Sequence, residues 1–147
     1  MANQQQLDLL KQGVAATWNR WRQEYPDVAI ELNGVDLSEA NLGEVDLAHA
    51  DLSGADLSRV DLNNANLREA NLVGANLSGT NLAEVDLSGA NLSGANLVDA
   101  DLSGAALNGA NLSNADVHRA DLSEADLNET IITVEQLSTA KPPRDGL

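Results

Sequence analysis

Residues 90–117 read ANLSGANLVDADLSGAALNGANLSNADV, with leucine at 92, 97, 102, 107 and 112 and Val117 closing the run. The same period extends in both directions. Every fifth residue from Leu32 to Leu127 is leucine apart from Val117, and Ile132 continues the series. Two residues before the centres from 37 to 127 stands alanine in 14 of 19 cases, the others being Val35, Val45, Val60, Thr80 and Val85. The residue just before the centre is Asp or Asn in 18 of 19, with Ala106 the exception. Serine and then glycine often follow.

A period of five fits neither the 3.6 of a helix nor the 2 of a strand, so neither can hold leucine on one side. A chain that turns a corner every five residues can. Four corners make a coil of 20 residues, and successive coils stack at about the 4.8 Å strand spacing. Leucine and alanine then point inward, Asp/Asn and the two residues after leucine outward. Asn, Asp, Ser and Gly suit repeated tight turns, and alanine is small enough for a crowded axis. Thr80, inward at an alanine position, is expected to bond to backbone.

These residues resemble the pentapeptide-repeat family, whose consensus is A(D/N)LXX. The resemblance covers about residues 30–132 and implies an all-β solenoid, a right-handed quadrilateral parallel β-helix of about five coils. The expected organisation is an N-terminal helical cap over 1–29, the β-helix over 30–132, and a short C-terminal cap and tail over 133–147. The flanks LLKQGVAATWNRWRQEYPDVAIELNGVDLSEANL (9–42) and TIITVEQLSTA (130–140) are similar to those of cyanobacterial members.

Stacked coils leave two open edges, and the flanks read as lids for them. Leu7, Leu10, Val14, Trp18 and Trp21 form one apolar stripe at helical spacing, predicting a helix over 7–23 that Tyr25-Pro26 ends. Both tryptophans are read as lid rather than ligand platform. Thr133-Val134-Glu135-Gln136 reads as a capping box opening a short helix that carries Leu137.

Composition narrows the function. Phenylalanine and cysteine are absent, and Trp18, Trp21 and Tyr25 are the only aromatics. Without cysteine there is no disulfide, thiolate metal site or thiol nucleophile. No basic start leads into an apolar run, so the expectation is a cytoplasmic protein without membrane contact. The net charge of −15 falls within residues 31–130, because the flanking segments balance. Such a surface repels nucleic acid and favours basic partners. Carboxylates abound, but all lie outward on a convex wall with no cleft to shift them. His49 and His118 fall on different faces, so they cannot share a metal. Ser-Gly pairs are turn chemistry, and no calcium-binding nonapeptide period is present. No catalytic, cofactor or metal site is expected.

Residues 20 apart stack, so each face can be written down. The face around Leu72 and Leu92 carries Asn71, Val73, Gly74, Asn91, Ser93 and Gly94, flat and nearly neutral, a candidate surface for a protein partner. The face around Leu62, Leu82, Leu102 and Leu122 carries Asp61, Glu84, Asp101 and Asp121, the most acidic. A third face holds Glu39–Arg59 and Asp99–Arg119 as vertical ion pairs. A fourth carries His49, Arg68 and Glu69. Stacked like charges such as Asp36 over Asp56 are expected to raise carboxylate pKa values.

The expected function is therefore a non-catalytic structural or protein-interaction module, monomeric or weakly dimeric, whose partner is unnamed. The alternative is imitation of DNA. The rod carries about one net charge per 1.7 Å, close to duplex DNA. The resemblance implies this too, since some members protect DNA gyrase by mimicking DNA. Those members are longer, often centre on phenylalanine and dimerise through a C-terminal element, features not matched here.

Overall fold

The computed structural model describes residues 2–142, so the end of the expected C-terminal tail, 143–147, lies outside the described residues. Parallel bridges join residues 20 apart in an unbroken series from Glu31↔Asp51 to Asn111↔Ile131. The repeat is thus a stack of 20-residue coils, each with four corners.

One unit, Ala75–Gly79, shows why five residues suffice. Ala75 N–H closes the corner on the Leu72 carbonyl at 3.0 Å, and Asn76 N–H reaches back one coil to Ala55 O at 2.9 Å. Leu77 and Gly79 donate forward one coil, to Asn96 O at 2.7 Å and Val98 O at 2.9 Å. The fifth donor, Ser78 N–H, has no backbone partner, and Asn76 Oδ1 accepts it at 3.0 Å. All five backbone donors are bonded, as a packed chain requires. The Asp/Asn preference before leucine is this cap, repeated for example at Asp51–Ser53 and Asn91–Ser93.

The residue two after each centre, from Gly34 to Glu129, has φ between +56° and +72°. A positive φ at the third turn residue marks a type II corner, which glycine enters without steric cost. Glu, Asp, Asn, Arg and His occupy the other corners in the same conformation.

Inward leucines and alanines from Leu32 to Ala120 form a continuous buried core. Full burial of a leucine side chain is worth about 1.5–3 kcal/mol. Thr80 lies inside as expected, its hydroxyl donating to Leu57 O at 2.6 Å.

The N-terminal lid departs from the single helix expected over 7–23. It is two helices, α1 (Gln4–Lys11) and α2 (Ala15–Glu24), broken at Gly13 with φ +72°. Val14, placed in the apolar stripe by its spacing, is instead the N-cap residue of α2 and 51% exposed. The break has a packing reason, since the helices serve different sides of the first coil. Gln6 of α1 bonds Ala29 O and Glu31 N–H, whereas Trp18, Asn19 and Arg22 of α2 bond backbone groups of residues 44–48. A straight helix could not reach both. Glu24 ends α2 and Tyr25 leaves helical geometry, as Pro26 demands.

At the other end α3 (Val134–Thr139) opens with the Thr133–Gln136 capping box. Gln136 Nε2 donates to Leu112 O and Ala115 O, and Lys141 N–H to Ala120 O. This lid covers less. Leu122, Leu127 and Ile132 are only partly buried, whereas Leu32, Leu37, Leu42 and Leu47 at the first coil are closed off. Among the described residues no helix is long and apolar enough to cross a membrane.

Candidate interaction surface

The coil positions the flat face residue by residue. Asn71 and Asn91 pair in the ladder, and each Oδ1 caps the N–H two residues on, at Val73 and Ser93. That leaves Val73 38% exposed and the amide ends of the asparagines outward. Gly34, Gly54, Gly74 and Gly94 stack on four successive coils, and a Cβ built on any of them meets nothing within 4 Å. The six residues expected at this face lie together on it.

The acidic face is assembled too, and each of its three aspartates spends one oxygen within its own turn. Asp61 Oδ1 caps Asn63 N–H, and Asp101 and Asp121 each take a serine N–H and hydroxyl, from Ser103 and Ser123. Asn81 donates to Asp61 at 3.4 Å, separating it from Asp101 in the column. Glu84 folds along the rod over Gly104, where an added Cβ would stand 2.4 Å from its Oε1.

The vertical pairs form as expected. Arg59 donates to Glu39 at 3.0 Å and Arg119 to Asp99 at 2.8 Å. On the fourth face His49 approaches Glu69 at 3.2 Å and Arg68 donates to Asp86 at 3.3 Å. His118 pairs with Asp116 in its own turn.

The rise in carboxylate pKa expected of stacked like charges is overturned at Asp36, which stands over Asp56. Asp36 lies below the usual carboxylate range because the Ser38 hydroxyl and then the Ser38 N–H bond its charged form. Arg119 lowers Asp99 and His118 lowers Asp116. Burial works against ionisation of Asp86, but Ser88 and Arg68 together outweigh it, and its pKa also falls. At Asp36 the turn cap outcompetes repulsion from Asp56 across the 20-residue step.

The lid holds one feature that sequence reading missed. Trp18 is fully buried, with its Nε1–H donated to Asp46 O at 2.7 Å, a lid as expected. Trp21 is only half-buried and stands 5.3 Å from Trp18 and 5.9 Å from Tyr25, centroid to centroid. Trp21 and Tyr25 line a cavity of about 250 Å³ with Asn3, Gln5, Gln6, Leu9 and Val28. The helical spacing of Trp18 and Trp21 could not separate their roles.

The model of pentapeptide repeats matches residues 30–68, 61–98 and 95–133. The chain belongs to the pentapeptide repeat family. Among solved structures, this pentapeptide repeat protein is similar to Rfr23 of the cyanobacterium Cyanothece. The two share 30% identity over 89% of this chain and 97% of that one, with a TM-score of 0.59. It is also similar to a pentapeptide repeat protein of the Arabidopsis thaliana thylakoid lumen, at 25% identity over 76% and 81% and a TM-score of 0.59. QnrB1, a plasmid-mediated fluoroquinolone resistance protein, aligns at 24% identity over 70% and 67%, with a TM-score of 0.35. Comparison with curated protein sequences finds no match.

Proposed function

We propose that this pentapeptide repeat protein is a non-catalytic interaction module. It is a right-handed quadrilateral rod over 30–132, closed by an N-terminal and a short C-terminal end piece, whose flat face receives a protein partner. The open glycine column Gly34–Gly54–Gly74–Gly94 carries this reading. It lies beside exposed Asn71, Val73 and Asn91 on a wall whose other faces carry ion pairs or packed carboxylates. A partner can approach the backbone closely there without stripping charges of their water, which is costly. Solenoids bind along such extended rigid faces.

Imitation of DNA draws less support. Asp61, Asp101 and Asp121 hold an oxygen in turn caps, and Glu84 lies along the rod. Phosphate-like display calls for carboxylates directed at the partner.

A photo-crosslinking residue placed at Ser93 tests the reading, with one at Ser103 on the acidic face as control. The expected result in native extract is a discrete adduct from position 93, absent from position 103 and lost in V73R. Adducts from 103 and none from 93, together with inhibition of a DNA topoisomerase, would reverse the choice of face and function.

A further inference from the structure

We infer that the cavity between α1 and α2 is a binding site for a cationic side chain, the arginine of a basic partner protein. It does not depend on where along the rod that partner otherwise lies. Three observations converge on it. First, the chain spends its only aromatics on one contiguous stack, yet the lid needs one of them. Trp18 closes the first coil; Tyr25 remains 51% exposed and Val28 42% exposed at the cavity rim. Second, the Trp21 and Tyr25 rings, 5.9 Å apart and inclined at 41°, both line the one cavity, so a guest seated there meets aromatic ring surface. A guanidinium stacks on such faces and is attracted by their quadrupole.

Third, the charge of the molecule as a whole selects the sign of the guest, since residues 1–30 are themselves balanced, Asp8, Glu24 and Asp27 against Lys11, Arg20 and Arg22. No lining residue is charged, so among the described residues no lysine or arginine already fills the role. Glu24 and Asp27 flank Tyr25 in sequence. Glu31 adjoins the floor through its backbone, its carbonyl accepting from Asn3 N–H at 2.7 Å and its N–H bonding Gln6 Oε1 at 2.8 Å. With a net charge of −15 the whole molecule steers cations inward and repels anions. The Gln6 amide is spent on Ala29 and Glu31. Gln5, exposed on α1, is the amide placed to accept a guanidinium N–H.

The two tryptophans make the test site-specific, because each contributes one indole cross-peak to a ¹H–¹⁵N spectrum. The full chain is titrated with a Ser/Gly peptide bearing a single central arginine, and in parallel with the same peptide bearing citrulline. The expected result is a saturable shift of the Trp21 indole peak with arginine and little with citrulline, while the Trp18 peak stays in place. Y25A weakens the midpoint about fivefold or more, and Y25F retains it. Tyr25 is exposed and outside the core, so both variants keep the fold, checked by the unmoved Trp18 peak. An unshifted Trp21 peak, an equal response to citrulline, or a midpoint indifferent to Y25A would overturn the proposal.

Discussion

Asn19 meets Asp46 as a peptide group would: its Oδ1 accepts the Asp46 N–H at 2.8 Å, while its Nδ2 donates to Glu44 O at 3.0 Å. One side-chain amide therefore stands where the backbone of a preceding coil would stand. Gln6 repeats the arrangement at Ala29 and Glu31. On these two sides the lid ends the stack by imitating the next rung in side chains, pairing backbone groups that an open strand edge would leave bare.

Removing that imitation exposes the edge. N19A leaves Asp46 N–H and Glu44 O without it and should cost about 1–3 kcal/mol. W18A, which empties the lid's largest buried side chain, should cost about 3–5 kcal/mol. Urea unfolding gives both values. Sedimentation should show W18A associating end to end, and a monomeric W18A of wild-type stability would refute the lid.

Ala106 offers a gain. It is the one unit in the run with no side-chain acceptor before leucine, and it lies in the ladder between Asp86 and Asp126. A106N supplies the cap for Asn108 N–H without adding charge, and should stabilise by about 0.5–1.5 kcal/mol. N91A, which deletes the same cap from Ser93, should lose a similar amount. Opposite signs in thermal melts are the expected outcome; equal signs would discard the cap as the reason for Asp/Asn.

The register predicts a sharp contrast between inward and outward positions of the repeat. Leu77 is fully buried, so L77A should cost about 2–5 kcal/mol. Ser93, beside an exposed column, should accept alanine within about 0.5 kcal/mol. Similar losses at both sites would contradict inward-facing centres.

Acid should destabilise the rod. Asp36, Asp86, Asp99 and Asp116 have folded pKa values below the ordinary carboxylate value. The unfolded chain therefore binds more protons, and their contribution is complete above the unfolded value of about 3.9 and lost as pH falls beneath it. The urea midpoint in dilute protein should thus hold from pH 8 to 5.5 and be lower at pH 3. D99N should narrow the difference. A midpoint that rises towards pH 3 would restore the like-charge account.

The sequence alone determined the repeat: leucine every five residues admits no helix or strand, and stacking 20 residues apart follows from four corners. It also placed Glu39 against Arg59 and Asp99 against Arg119, because a rigid ladder converts spacing directly into contact. Thr80 and the Thr133–Gln136 box were legible for the same local reason. Tertiary structure decided the rest. The apolar stripe from Leu7 to Trp21 is helical throughout by spacing, yet Gly13 breaks it because two helices must dock on different sides of one coil. Trp18 and Trp21 look alike in sequence and differ only in what lies beneath them. The aspartates looked repulsive in a column, but each bonds first within its own turn, where the donor stands two residues away rather than a coil distant. Periodicity fixes which residues stack, whereas the partner a polar side chain takes depends on distances that only the folded chain supplies.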